Sequence, residues 1–402
     1  MHPFTPIKSI LAVVCLPGLL SSICAGEVKW SSRQLCKEFH AEGAAAGDFN
    51  KDGKTDVAYG PFWWEGPDFQ KQHIIYTPAP IDPRGYSKNF LAYAPDINKD
   101  GFADVLVLGF PGEDSYWFEN PRSGEGQWAR HSILKVTDNE SPGWLDVTGD
   151  GKPEIVCSSA EYFGYASPGE DPTKEWPFTR ISGKAAGGRF THGLGMGDVN
   201  GDKRQDLLEK NGWWEQPADN RTQAEWKFHP VAFSEPGGAQ MFASDFDGDG
   251  DADVLTSLAA HGYGLAWFEQ GKPGEFTRHD IMPEKSGDPA KPVFSQLHAI
   301  DMADFNGDGV ADFTTGKRWW AHAPGPDGKG GDSGVNDPAV LYWYEVKQGK
   351  KSGEATFTAH LINSESGVGT QVTATDLNND GLPDILVGSK KGAWVHIASR
   401  EK

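Results

Sequence analysis

Apolar residues in this chain fall in short runs bounded by Gly, Pro, Asn and Asp, as in Val105-Leu106-Val107-Leu108-Gly109, and the pattern restarts about every 50 residues. Such runs predict short strands. Within one period four strands are expected, in the second unit at 90–95, 105–109, 116–119 and 128–134. The third strand recurs as Trp63-Trp64-Glu65, Trp213-Trp214-Glu215, Trp267-Phe268-Glu269, Trp343-Tyr344-Glu345 and Trp394-Val395-His396. The fourth recurs at 176–181, 226–231, 276–281 and 357–362. The last unit stops after its third strand, near Ala398, while residues 29–35 carry the fourth-strand pattern ahead of the first unit. The missing strand is therefore expected at the opposite end of the chain, pairing with the last unit and removing two free edges.

Between the first and second strand of every unit lies a nine-residue loop with oxygen-bearing side chains at positions 1, 3, 5 and 9. These are Asp48, Asn50, Asp52 and Asp56; Asp96, Asn98, Asp100 and Asp104; Asp146, Thr148, Asp150 and Glu154; Asp198, Asn200, Asp202 and Asp206. The remaining three are Asp245, Asp247, Asp249 and Asp253; Asp304, Asn306, Asp308 and Asp312; and Asp376, Asn378, Asp380 and Asp384. A hard cation takes about six to eight oxygens, and alternate residues of a tight loop can aim them inward. Up to seven calcium ions are expected, one per loop. The last acid at position 9, with strands on both sides, separates these loops from the helix-flanked 12-residue EF-hand. Repeated short strands with aromatic signatures predict an all-β fold, a seven-bladed β-propeller of four-stranded blades, with residues 27–400 as one domain.

The loop Asp96-Ile97-Asn98-Lys99-Asp100-Gly101-Phe102-Ala103-Asp104 resembles the FG-GAP or VCBS repeats of integrin α-chain propellers and of many secreted bacterial proteins. The resemblance runs through nearly all of the mature chain and implies the propeller and its calcium without fixing an activity. Two units depart from it: the third has Thr148 and Glu154 where Asn and Asp are usual, and the fourth has Lys203 where Gly is usual. Weaker ion binding is expected there. Thr191-His192-Gly193-Leu194-Gly195 and Asn211-Gly212-Trp213-Trp214-Glu215-Gln216-Pro217 are similar to the propeller portion of aldos-2-ulose dehydratase-like proteins, which act on keto-sugars, although no cupin domain follows here.

Composition changes the picture in three ways. The net charge of −20, from 57 acids against 37 bases, largely reflects the loop carboxylates and gives no basic surface for nucleic acid. Residues 1–25 read as an export signal, with Lys8, an apolar stretch at 10–20 and Ser22-Ile23-Cys24-Ala25, so a secreted, periplasmic or cell-surface protein is expected. No other apolar run is long enough for a transmembrane helix. Cys36 and Cys157 then remain, expected as two buried unpaired thiols, and the chain is expected to be a monomer.

Candidate chemistry comes from the positions where the repeat breaks. Six residues before each loop stand Glu42, Phe90, Glu140, His192, Ala239, His298 and Thr370. If the first strand runs down a central channel to the loop and the second climbs back, these positions ring the face opposite the ions. Two His and two Glu there could bind a transition metal or supply an acid and a base. Ends of second strands add Tyr162, Lys210, His261, Lys317 and Arg318, cations beside aromatics that suit a sugar acid. The expected partner is a glycan or an extracellular protein. Against this reading, polar rims are also simply solvated. The alternative is a lyase or dehydratase acting on keto-sugars or sugar acids through His192, His298, Glu42, Glu140, His261 and Arg318. His73, His131, His229, His279 and His360 recur in fourth strands and read as scaffold. Three stretches break the rhythm as loops, 77–88, 161–175 and 322–338, and the last is expected to be able to cover the channel mouth.

Overall fold

The computed structural model describes residues 27–122, 126–218, 225–283 and 291–400. The expected export signal lies outside the described residues. Among them every element is a strand, 27 in all, and there is no helix. No helix is therefore long and apolar enough to cross a membrane.

The strands pair in the order the periodicity predicts. Ala45–Gly47, Asp56–Tyr59, Phe62–Trp64 and Gln72–Ile74 form one four-stranded antiparallel sheet, and Ile300–Ala303, Asp312–Gly316, Leu341–Lys347 and Thr356–Asn363 form another. In a third, Val372–Thr375, Asp384–Ser389 and Gly392–Arg400 are completed by the N-terminal Val28–Cys36, which runs antiparallel to Gly392–Arg400 with Trp30 opposite Ala398. The remaining strands form a seven-stranded and an eight-stranded sheet. In the eight-stranded one, Leu194–Gly197 and Gln240–Ser244 pair in parallel and join two antiparallel runs of four. In the seven-stranded one, the fourth strand of the second unit and the first of the third, expected as separate elements, are one strand, Ala129–Leu145. Its sequence has no Gly or Pro until Pro142, so nothing forces a break between them.

A second expectation is corrected in the third unit. The stretch 161–175 is not a loop throughout, because Tyr162–Ala166 is its third strand, paired with Glu154–Ser159 and Phe178–Lys184. Tyr-Phe-Gly-Tyr stands there in place of the Trp-rich signature. Phe163 and Tyr165 nevertheless pack inward with Trp214 and Trp226 of the next unit.

What holds one unit to the next is visible in the loops. Position 2 of each loop is apolar and buried: Phe49, Ile97, Val147, Val199, Phe246, Phe305 and Leu377. Phe49 lies between Trp63 of its own unit and Trp128 of the next, with ring centroids 5.7 and 5.8 Å away. The carbonyl of this residue accepts a side-chain amide from the following unit, from Asn120 to Phe49 at 2.8 Å, Gln216 to Val147 at 2.6 Å and Gln270 to Val199 at 3.0 Å. The recurrent histidines are scaffold as expected. His73, His229 and His279 stack on Trp63, Trp213 and Trp267 while bonding Glu65, Glu215 and Glu269 at 2.7–2.8 Å.

A cavity of about 300 Å³ is lined by residues of all seven first strands, among them Ala45, Ala92, Trp144, Gly195, Met241, Ile300 and Thr373. The seven strands thus face one space. Cys36 and Cys157 are buried and unpaired.

Candidate functional site

Each first strand runs directly into its loop, so the loops lie at one end of the seven strands and the residues preceding the strands at the other. At the loop end, the position 1 carboxylate accepts backbone N–H groups from within the loop. Asp96, for example, takes those of Asp100 and Gly101 at 3.0 and 2.9 Å. Position 6 needs a positive φ, which Gly adopts freely, from 80° at Gly53 to 100° at Gly250. Lys203 takes the same turn at 68° and still gives its N–H to Asp198, so the fourth loop keeps its shape at the cost of a strained backbone. The donor set fits a hard cation: in the fifth loop Asp245, Asp247 and Asp253 bring carboxylate oxygens within 4.8 Å of one another.

Position 9 does something the sequence pattern does not reveal. The buried Asp312 spends one oxygen on the N–H of Phe305 at 3.1 Å and the other on that of Val346 at 2.8 Å. Asp56, Asp104, Asp206, Asp253 and Asp384 make the same two bonds in their units. This carboxylate staples the loop to the end of the third strand whatever the loop holds. Asp312→Ala would leave two buried N–H groups unpaired and is expected to cost about 2–4 kcal/mol. Asp304→Ala, at partly exposed position 1, should cost under about 1 kcal/mol when both are compared by denaturant unfolding in chelator. Equal losses would remove the staple.

At the opposite end the expected cluster assembles. Glu42, Glu140, His192, His298, His261 and Arg318 come from five different units and meet at one place. The buried Arg318 directs Nε to Glu42 Oε2 at 3.0 Å and Nη1 to Glu140 Oε2 at 3.4 Å, with Nη2 2.8 Å from Glu42 Oε2. Its guanidinium also lies over Phe90, 5.3 Å from the ring centre. His192 Nε2 and His298 Nε2 lie 3.5 and 3.9 Å from that same Glu140 oxygen. His261 Nε2 is 3.2 Å from His192 Nε2. Burial alone would raise the Glu140 carboxyl, but His192, Arg318 and His261 outweigh it and hold it at about 2. Burial, with Arg318 and the other two imidazoles beside it, pushes His298 well below the usual histidine range, so it is neutral.

Four members were not singled out from sequence. Lys390, at the end of a second strand as Lys317 is, lies buried 3.9 Å from Glu42 Oε1 and 4.2 Å over the Tyr86 ring. Asp332 accepts from His261 Nδ1 and from His322 Nδ1, each at 3.0 Å. Asp332 and His322 belong to the stretch 322–338, and Tyr86 to 77–88, so two of the three flagged loops do reach the mouth. The repeat position of Lys390, matching Lys317, was the available signal. For Asp332 there was none beyond its loop. Burial lowers both Lys317 and Lys390 to about 8. Two candidates do not join: Tyr162 stacks under Arg180 at 4.0 Å, and Lys210 pairs with Glu235 at 3.4 Å. The side open to solvent is formed by half-buried His192 and His261 with exposed His322 and Tyr86.

Antiparallel four-stranded units repeated around a common cavity define a β-propeller-like protein. The chain carries FG-GAP repeats: the FG-GAP-like repeat family matches residues 96–157 and 245–314, and the FG-GAP repeat family matches 368–393. No protein of curated function matches significantly. Among solved structures the chain is similar to one from the Photorhabdus luminescens Tc holotoxin pore, at 15% identity over 77% of this chain, with a TM-score of 0.37. This chain covers 14% of that one.

Proposed function

We propose that the protein is a secreted, seven-bladed β-propeller, stabilised by calcium in its loops, that binds a sugar-acid-type ligand at the mouth opposite them. The observation that carries this reading is the convergence of Arg318, Lys317 and Lys390 with three imidazoles at one partly open mouth. The Nζ groups of Lys317 and Lys390 are buried without a hydrogen-bond partner; such donors can take a carboxylate, and polar side chains at the rim suit hydroxyls. The seven first strands around one cavity, with the N-terminal strand completing the last sheet, support the seven-bladed count. The loop donor sets support calcium, and the pattern of residues 1–25 supports export.

A second reading is a lyase or dehydratase acting on sugar acids or keto-sugars, favoured by the three imidazoles around the Glu140 carboxylate. Such an array can take a proton from carbon and return one to a departing hydroxyl. One titration panel separates the readings: uronic acids, their oligomers and keto-sugars are added to the protein while heat and the ultraviolet absorbance of an unsaturated product are followed. Binding without product supports the module, and product supports the enzyme. No heat and no product from any of these sugars overturns both.

The pH dependence has a definite sign. Lys317 faces Asp337 and Asp332, and Lys390 faces Glu42, Arg318, Glu140 and Asp332; each ammonium loses its proton near pH 8 instead of the usual 10.5. Protonated lysine attracts an anion and neutral lysine does not. Affinity for an acidic sugar is therefore expected to fall about tenfold or more from pH 7 to pH 9.5. The fall should shrink in Lys390→Met, as read by calorimetry; the same fall in Lys390→Met would remove that lysine from the site.

A further inference from the structure

We propose that His192, His261, His298 and Glu140 hold one divalent transition-metal ion of the zinc class at the mouth, distinct from the calcium loops. The inference deepens the reading of this mouth as a ligand site and rests on that reading for its functional meaning. The four residues are contributed by four different units, the third to the sixth. Each still offers one donor atom, all within 4.8 Å of one another.

The separations match an ion's coordination edges. Four donors about 2.0–2.1 Å from a tetrahedral zinc lie about 3.3–3.4 Å apart. Here His261 and His192 Nε2 are 3.2 Å apart, His192 Nε2 and Glu140 Oε2 3.5 Å, and His298 Nε2 and Glu140 Oε2 3.9 Å. Small rotations close the set. Three imidazoles with one carboxylate select zinc and its first-row neighbours over calcium, which prefers an all-oxygen shell.

The tautomers are fixed by the surroundings. His261 gives its Nδ1 proton to Asp332 at 3.0 Å, and His298 gives its Nδ1 proton to the carbonyl of Gln296 at 3.4 Å. Both then present an Nε2 lone pair to the same point. His298 is 1% exposed, and its Nε2 is buried without a hydrogen-bond partner. A buried acceptor left unpaired is unfavourable unless something occupies it. Carboxylate or carbonyl partners behind metal-bound imidazoles are the usual supporting arrangement. Asp332 is the positioning residue here, and it comes from the stretch 322–338 that reaches over the mouth. Because His192 and His261 are half-buried, an oxygen of an incoming sugar acid can approach the ion from solvent while Arg318 and Lys390 lie behind the cluster.

The test is calorimetric titration of zinc into the full-length protein, kept in excess calcium so that the loops stay filled. One equivalent is expected to bind in the mouth. Affinity should fall at least 100-fold in His192→Ala and in His298→Gln, and stay unchanged in His229→Ala, whose imidazole stacks on Trp213 outside the cluster. Cobalt(II) in place of zinc should give visible absorption bands of imidazole ligation in the wild type and lose them in both cluster variants. His192 is half-buried, so its variant keeps the test open if His298→Gln unfolds. Asp332→Asn should bind 10–100-fold more weakly with shifted cobalt bands, and Asp332→Glu should recover part of the affinity. Absence of a one-equivalent site in the wild type, or wild-type affinity in both cluster variants, overturns the proposal. Galacturonate titrated with and without zinc keeps the two readings apart. Sugar binding in a protein that takes up no zinc sinks the metal alone, and zinc binding with no sugar binding sinks the ligand reading alone.

Discussion

In excess chelator the protein is expected to melt at least about 10 °C lower than in millimolar calcium. Each loop gathers at least three carboxylates, and without cations those charges repel one another. An ion bound only by the folded loop stabilises by mass action, about 2.7 kcal/mol per site when free calcium is a hundredfold above the dissociation constant. With seven such sites, even half of that stabilisation, about 9 kcal/mol, is comparable to the whole stability of an ordinary domain. The loops are not all equal: the strained Lys203 and the Thr148–Glu154 set should be the first to empty as calcium is lowered. Scanning calorimetry across calcium concentrations reads this directly. A melting temperature that ignores chelator would show that backbone N–H groups alone hold these loops, and the calcium half of the proposal would fall.

Arg318→Ala is expected to be the most damaging single substitution at the mouth, at about 3–5 kcal/mol. The reason is not the attraction it removes but what it leaves behind. Glu42 is fully buried and Glu140 nearly so, and both point at the guanidinium. Losing it strands two buried carboxylates, Glu42 with only Lys390 near it at 3.9 Å and Glu140 with the imidazoles of His192 and His298. Breaking one member of a buried ion pair carries that penalty, whereas replacing the pair by apolar groups of similar volume is often close to neutral. Glu42→Gln combined with Arg318→Met should therefore regain most of the lost stability. Arg318→Lys should not, because a single ammonium cannot serve two carboxylates in the geometry of a planar fork. Both Arg318→Ala and the double variant should lose sugar-acid binding, which separates the structural role from the electrostatic one. Denaturant unfolding and calorimetry on the same samples test it; an Arg318→Ala protein as stable as the wild type would show that the carboxylates are neutral in the fold.

The strand order, the loops, and the N-terminal strand completing the last sheet were all legible along the chain. They depend on local patterns: alternation sets which face is buried, and turn chemistry sets where strands end. The break in one repeated position singled out Glu42, Glu140, His192 and His298, because a residue that varies among otherwise similar units is not there to build the unit. Where local pattern weakened, the reading slipped. The third unit replaces tryptophan by Tyr162-Phe163-Gly164-Tyr165, so a strand was read as loop, and Ala129–Leu145 runs through a boundary that no Gly or Pro marks.

By itself, then, the sequence determined an all-β repeat protein with oxygen-rich loops at one end of its strands and a set of irregular ionisable residues at the other. Only the tertiary structure decided that residues as far apart as Glu42 and Arg318 share a buried ion pair, that Asp332 supports His261, that Lys390 joins them, and that Tyr162 and Lys210 do not. It also decided that six of the seven position 9 acids are staples bonded to the backbone at both ends. Strand and turn propensities act over a few residues and are written in order along the chain. Burial, ion pairing and the aim of a side chain are set by neighbours that the closing of the sheets brings together from hundreds of residues away.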